Sequence, residues 1–333
     1  MDNIGELRGH YMKKILLTNR YQNTPLEIIN SVVPSNFELL MLPELSQRTL
    51  VNMAPKADYI LASGRLRIDA DVLLHAPKLC MIQRTGVGLD SLDLDAIRQR
   101  NIPLYVNQGV NAESAAEHTL LLIMSCLRHL PAINANTKAG IWKKQEQGTQ
   151  TRELHGKTIG IIGMGNIAKH LVTLLDGFGV TVLYNSKNKP GHEFETAHRM
   201  HYVEKEELFR KADIITLHCP LTDETRAMIN KESIHTMKDG VIIVNTARGQ
   251  IINTSDLADA LKSGKVGYAG IDVHEEEPFS DQYPLKNCDN AILTPHIAGI
   301  TYESFFSMMH DAMRNIELYD KGEYGVIEQY RYL

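Results

Sequence analysis

Cysteine is scarce in this chain: Cys80, Cys126, Cys219 and Cys288 lie far apart among 333 residues, with no CxxC pair. That usage excludes a disulfide framework and a zinc ribbon, and it fits reduced thiols in the cytoplasm. Concentrated positive charge is missing as well. Lys and Arg total 35 against 40 Asp and Glu, a net charge of -5, and no basic block runs five or six residues. Nucleic acid and anionic membranes both recruit concentrated positive charge, so neither is an expected partner. Long apolar runs are absent: the longest, residues 120–127, falls far short of the roughly 18 a membrane span requires. Asp2, Glu6, Arg8 and His10 interrupt the place where a signal peptide would be apolar. No leader is therefore expected, and residues 1–11 read as a loose extension.

What is present is the mix of an ordinary globular chain, 43% hydrophobic and 23% charged. At roughly 150 residues per domain, this length predicts two domains, each able to bury its own core. From Lys13 onward, short apolar runs rich in β-formers alternate with helical patterns. Residues 15–18, 37–42, 59–62, 79–83 and 103–106 are strand candidates at the spacing of βα units. A second series follows at 158–162, 180–184, 213–217, 241–244, 268–272 and 291–294. Both series predict an α/β chain with doubly wound parallel sheets. Between them, residues 115–129 read as an apolar connecting helix, and residues 138–152 as an arm or loop holding the only tryptophan, Trp142. Past Gly299 comes an amphipathic helix with Phe305, Phe306, Met309, Met313 and Ile316, then a Tyr-rich tail.

Gly163-Met164-Gly165-Asn166-Ile167-Ala168 follows one strand candidate and opens a helix. In that context Gly163 permits a tight turn, Gly165 lets amides approach a pyrophosphate, and Ala168 keeps the helix close to the sheet. Elsewhere the same pattern would be a plain βα turn; here it points to a dinucleotide. At the end of the next strand, where an acid would read the ribose of NAD, stands Asn185. Ser186, Lys187 and Lys189 follow and could hold a 2′-phosphate, which favours NADP over NAD. The bland alternative is an exposed polar loop.

Several further segments stand in a telling order. They are Arg84-Thr85-Gly86-Val87-Gly88-Leu89-Asp90, Ala115-Ala116-Glu117-His118, Leu217-His218-Cys219-Pro220-Leu221-Thr222, Asn245-Thr246-Ala247-Arg248-Gly249, Asp272-Val273 with Glu277-Pro278, and Pro295-His296-Ile297-Ala298-Gly299. With the glycine turn, they make the chain resemble the D-isomer-specific 2-hydroxyacid dehydrogenase family over nearly its whole length. The resemblance implies a Rossmann NAD(P)-binding domain, residues 108–299, inserted in a flavodoxin-like substrate domain of residues 1–107 plus 300–333. It also implies a homodimer helped by the arm around Trp142. It places Cys219, Pro220, Thr246 and Ala247 along the cofactor, with Asn166, Ile167, Arg248, His296, Ala298 and Gly299, and it gives Asp272 the carboxamide.

The chemistry can also be argued from the residues. Hydride reduction of a 2-oxo acid needs a cation to hold the carboxylate and polarise the carbonyl, and an acid to protonate the alkoxide. Arg248 lies just past one strand and His296 just past the last, at the carboxyl edge where open parallel sheets bind ligands. A guanidinium can take two oxygens at once. An imidazole, with an ordinary pKa of about 6.5, suits proton donation near neutrality. A nearby carboxylate favours its charged form and fixes its tautomer, the role given to Glu277. Of Glu275, Glu276 and Glu277, only the last, before Pro278, matches the family's catalytic position. Arg84, Thr85, Gly86, Val87 and Gly88 are assigned to the substrate, with the loop's amides as an anion nest. Cys219 has no activating base. His118, His218 and His274 lack metal-ligand spacing, so no metal is expected and structural roles are assigned.

These observations predict an NAD(P)H-dependent reductase of a small 2-oxo acid such as glyoxylate or hydroxypyruvate. One alternative is a phosphoglycerate dehydrogenase-like enzyme, against which Ala62 stands where an added arginine would be expected. No residues after 333 supply a regulatory domain, so feedback through one is not expected. The other alternative is a dinucleotide-sensing corepressor-type binding protein, disfavoured by the lack of long disordered flanks.

Overall fold

The computed structural model describes residues 12–333, and the expected loose extension lies outside the described residues. Two compact units divide the chain: Met1–Asn111 with Tyr302–Leu333, and Ala112–Thr301. The divisions thus fall at 111/112 and 301/302, against the 107/108 and 299/300 expected from sequence. Val110 packs into the first unit's core. Thr301 Oγ1 lies 3.4 Å from Ser114 Oγ within the second.

The first unit holds β1 (Lys13–Leu17), β2 (Phe37–Met41), β3 (Tyr59–Ala62), β4 (Met81–Arg84) and β5 (Leu104–Val106). All pair in parallel in the order β2-β1-β3-β4-β5, the flavodoxin-like winding. Central β3 is buried at every position, as a strand covered on both faces must be, whereas edge strand β2 is buried only at Phe37. The helix Tyr302–Asp320 belongs to this unit and packs on the helix Asn23–Val32 and on β4. Phe305, Met308, Met309, Ala312, Met313 and Ile316 recur at helical spacing on its buried face. Burying each of the larger ones stabilises by about 2 kcal/mol over leaving it exposed. A buried amide chain also pins this helix: Asn315 Nδ2 donates to Gln83 Oε1 (3.3 Å), Gln83 Nε2 to Asn107 Oδ1 (3.0 Å), and Asn107 Nδ2 to the Met308 carbonyl (2.8 Å). The Tyr-rich tail is structured too. Tyr105 and Arg331 form an antiparallel bridge, and the Tyr332 amide donates to the Leu104 carbonyl at 2.8 Å, covering part of the edge of β5.

The second unit holds β6 (Thr158–Ile162), β7 (Thr181–Asn185), β8 (Met200–Tyr202), β9 (Ile214–Leu217), β10 (Val241–Asn245), β11 (Val266–Ile271) and β12 (Ala291–Leu293). They form one parallel sheet in the order β12-β11-β10-β9-β6-β7-β8, a Rossmann winding with an added edge strand. β8 is the strand the sequence did not announce: three residues with a histidine at the exposed centre carry no readable period, and pairing with β7 makes it a strand. The helix Ala112–Arg128, read as a connector, packs on β10, β11 and the helix Asn166–Leu175 as part of this unit's core. The arm is more regular than a loop. Helix Leu130–Lys138 leads into it and helix Lys144–Gly148 lies within it, and neither buries a residue. The run Lys144-Gln145-Glu146-Gln147 consists of good helix formers, which accounts for the second. Among the described residues no helix is long and apolar enough to cross a membrane.

Candidate active site

At the end of β6 the chain turns through Gly163 at φ +92, the left-handed region. A Cβ there would lie 2.7 Å from the backbone of His218 and Cys219, so both conformation and contact demand glycine. The Gly163 amide donates to the Asn185 carbonyl at 2.8 Å, tying the turn to the end of β7. The helix Asn166–Leu175 then begins on Gly165 with no side-chain cap, and a Cβ on Gly165 would meet nothing within 4 Å. Ala168 is fully buried against the core. Uncapped amides at Asn166 and Ile167, a helix dipole and an open side fit a dinucleotide pyrophosphate.

The walls of this half are neutral. Burial pushes the His218 imidazole down to about 4, and its Nε2 lies 2.9 Å from Thr216 Oγ1. Burial pushes the Cys219 thiol up to about 11, so near neutrality it is protonated and no nucleophile. Pro220 beside it is exposed. Asn185 Nδ2 donates to the Val203 carbonyl at 2.9 Å. Ser186 Oγ, assigned from sequence to a phosphate, accepts from the Met164 amide at 3.2 Å and so braces the turn. Lys187 Nζ pairs with Glu224 Oε2 at 2.6 Å, and Lys189 Nζ sits 3.5 Å above the Tyr202 ring.

The other half is built on three adjacent strands whose ends align, Asn245 opposite Ile271 and Ile271 opposite Leu293. Past β10, buried Asn245 folds the turn that carries Thr246, Ala247 and Arg248. Its Oδ1 accepts from the Ala247 amide (3.0 Å) and its Nδ2 donates to the Arg248 carbonyl (2.8 Å). Arg248 is half-buried, with Nη1 2.6 Å from the Ala247 carbonyl. Thr246 Oγ1 lies 2.9 Å from Thr119 Oγ1.

Past β11, Asp272 is fully buried, and both its oxygens are occupied by the loop after β12. Oδ1 accepts from Thr294 Oγ1 (2.6 Å) and the Ile297 amide (2.9 Å), and Oδ2 from the Ala298 amide (2.9 Å). The residue read from sequence as a carboxamide acceptor therefore also clasps the loop that presents His296. His118 adds its Nε2, 3.2 Å from Thr294 Oγ1. Next along the loop sits Gly299.

The structure brings Glu277 and His296 into contact, with Oε2 2.7 Å from Nδ1. Glu277 Oε1 accepts from the His274 amide at 3.0 Å. Burial pushes this carboxyl up, but the bonds from His296 and from the His274 amide outweigh it and hold the group below the usual carboxylate range. A carboxylate on Nδ1 keeps a proton there and leaves Nε2 as the exchanging nitrogen. Both side chains keep some exposure, 48% for His296 and 33% for Glu277. Of the neighbouring acids, Glu275 is structural: its Oε1 accepts from the Thr254 amide at 3.4 Å and its carbonyl from Gln250 Nε2 at 3.0 Å. Sequence reasoning gave no role to Gly249, Thr294 or Tyr283. Only the packing of loops from different strands makes them part of this centre.

In the first unit, Arg84 braces its own loop. Nε donates to the Gly88 carbonyl at 2.7 Å and Nη1 to the Ala62 carbonyl at 2.9 Å. Neither Gly86 nor Gly88 has a positive φ, so the loop lacks the alternating backbone of a nest. Among the described residues the amides of Gly86, Val87 and Gly88 donate to no other group, which still suits an oxyanion. No group of three or more His, Cys, Asp or Glu positioned for a metal occurs among the described residues.

Comparison with known proteins bears on this arrangement. The family model for "D-isomer specific 2-hydroxyacid dehydrogenase, NAD binding domain" matches residues 120–298. Hydroxypyruvate reductase of Thermotoga maritima is 38% identical over 262 residues, covering 78% of this chain and 84% of that protein. Glyoxylate reductase of Aeropyrum pernix is 34% identical over 280 residues, 83% of each. The crystal structure of D-lactate dehydrogenase from Aquifex aeolicus, complexed with NAD and lactic acid, superposes with a TM-score of 0.84 at 27% identity, over 96% of this chain and 98% of that one. With its glycine turn between β6 and an uncapped helix, this chain belongs to the D-isomer specific 2-hydroxyacid dehydrogenase family and is an NAD-dependent oxidoreductase.

Proposed function

We propose that the protein reduces a small 2-oxo acid of the glyoxylate or hydroxypyruvate kind to its 2-hydroxy acid, the D isomer where the product is chiral, using NADPH in preference to NADH. The observation that carries this reading is the 2.7 Å pair of Glu277 and His296, on strand ends aligned with the one bearing Arg248. A bound nicotinamide supplies the hydride. Arg248 holds the substrate carboxylate and draws charge onto the carbonyl oxygen, a stabilisation that grows as the alkoxide forms. His296 gives its Nε2 proton to that oxygen and is left neutral, with Nδ1–H still on Glu277. Solvent restores the proton. The reductase names of the Thermotoga and Aeropyrum relatives support the substrate class.

The coenzyme preference rests on Asn185, which presents no carboxylate to repel a 2′-phosphate. The Lys187–Glu224 pair is exposed, at 77% and 69%. Solvent screens such exposed pairs, so a phosphate could displace the glutamate. The exposed Ile141 and Trp142 of the arm, with Leu130 on the helix that leads into it, support a homodimer through this face, and the cysteine usage supports a cytoplasmic enzyme.

The test is oxidation of NADPH, and separately NADH, against glyoxylate, hydroxypyruvate, pyruvate, 2-oxoglutarate and phosphohydroxypyruvate. Turnover of glyoxylate or hydroxypyruvate with NADPH ahead supports the reading. Turnover of phosphohydroxypyruvate alone would replace it with a phosphoglycerate dehydrogenase-like one. Tight nucleotide binding without any turnover would favour a sensing role.

A further inference from the structure

We infer that His274 and Tyr283 form a positioning relay that sets the separation of Glu277 and His296. The inference rests on the proposed roles of that pair and adds two residues that do not touch the reacting atoms. His274 is 5% exposed and Tyr283 8%, so their polar atoms must find partners inside the protein. His274 Nε2 lies 3.0 Å from the Thr294 carbonyl oxygen, and a carbonyl only accepts. The hydrogen is therefore on Nε2. In the neutral ring, Nδ1 is then an acceptor, and the Tyr283 hydroxyl lies 3.0 Å from it. Burial pushes that hydroxyl up to about 12, so it keeps the proton it donates. Donor and acceptor alternate without a gap from Tyr283 through His274 to Thr294.

The ring is fixed in orientation as well. Phe279 stands edge-on to it at 4.8 Å and 70°, Tyr283 at 5.2 Å and 87°, and these two rings stack on each other at 4.4 Å and 17°. One residue thus ties Glu277 to the loop that carries His296. The His274 amide holds Glu277 Oε1, and the His274 ring holds the carbonyl two residues before His296. Asp272 ties the loop after β12 at its amides and at the Thr294 hydroxyl, but it does not reach the Thr294 carbonyl. The His296 amide also donates to the Asp272 carbonyl at 2.7 Å and the Thr294 amide to the Ile271 carbonyl at 3.0 Å, so the loop stays attached without the ring bond. That bond sets how closely the loop sits to the residue holding Glu277, and small misplacements of a proton donor are costly in rate.

His274→Phe keeps the aromatic packing and removes the Nε2–H. His274→Gln keeps a donor at nearly the same reach. Tyr283→Phe removes only the hydroxyl. We expect His274→Phe to lower kcat by on the order of 10-fold or more, with the dissociation constant for NADPH, read by fluorescence, unchanged within about twofold. The alkaline limb of its pH–rate profile should move to lower pH, because a carboxylate held less closely favours the charged acid less. His274→Gln should recover most of the loss, and Tyr283→Phe should show the same changes at smaller size. A His274→Phe protein that melts earlier but keeps the wild-type kcat and pH profile would overturn the relay, as would a His274→Gln protein no better than His274→Phe. His296→Ala separates the two levels. If it is inactive while His274→Phe behaves as wild type, the relay alone fails; if His296→Ala turns over normally, the catalytic pair and the relay fall together.

Discussion

A Cβ placed on Gly249 would lie 2.0 Å from the carbonyl carbon of His274. The loop that follows Arg248 therefore rests directly on the backbone that leads to Glu277, and only a hydrogen fits between them. Real Cβ atoms do not approach backbone this closely, so any side chain must push the two loops apart. Gly249→Ala should cost roughly 1–3 kcal/mol of stability. It should also lower kcat by more than its effect on nucleotide binding, because it separates Arg248 from the acid pair. Urea unfolding together with steady-state kinetics checks both. An alanine variant with wild-type turnover would show that the loops can shift without consequence.

Removing the two polar actors should have different signatures. His296→Ala should reduce kcat by on the order of 10² to 10⁴ while leaving nucleotide affinity nearly intact, since a general acid acts only in the transition state. Arg248→Ala should raise KM and lower kcat together, because the guanidinium is assigned to substrate and transition state alike. Separate kcat and KM values for the selected 2-oxo acid decide this. Unchanged KM in Arg248→Ala would remove the arginine from substrate binding.

His218 predicts a pH dependence of stability. Its imidazole is pushed down to about 4 by burial, while an unfolded chain takes up that proton near pH 6.5, roughly the free value. Between these values the unfolded state binds more protons. Stability should therefore fall as pH drops from about 6.5 toward about 4, and level off with respect to this group below that. His218→Gln keeps a partner for Thr216 and has no proton to gain. Its stability loss between pH 7 and pH 4.5, measured by urea unfolding, should be smaller than that of the wild type. Equal losses would show that this imidazole does not stay neutral in the fold.

Asn185→Asp should move the coenzyme preference toward NADH by roughly tenfold or more, by placing a carboxylate where a ribose hydroxyl can donate and a 2′-phosphate is repelled. The ratio of kcat/KM for NADPH and NADH is the readout. An unchanged ratio would mean that the end of β7 does not read the ribose.

Much of the fold was legible because buried parallel strands are continuous apolar runs. β3 and β6 appear at the residues their patterns indicate, Tyr59–Ala62 and Thr158–Ile162. β8 was not, since Met200-His201-Tyr202 is too short to show a period and exists through its pairing with β7. The tail was illegible for a similar reason: its bridge from Arg331 to Tyr105 joins residues more than two hundred positions apart. At the site, the intramolecular partners of side chains with several possible bonds were not legible. Ser186 supports the glycine turn, and Arg84 grips the carbonyls of Ala62 and Gly88.

By itself, then, the sequence determined what depends on neighbours along the chain: the βα rhythm, the glycine turn at Gly163, and the identities of Arg248, Glu277 and His296. Tertiary structure alone decided what depends on distance through space. It set the close approach of Gly249 to His274, the clasp of Asp272 on the loop of His296, and the bonds from Tyr283 through His274 to Thr294. Local propensity acts over a few residues, whereas these contacts join loops from separate strands, and only the register of the sheet brings them within hydrogen-bonding reach.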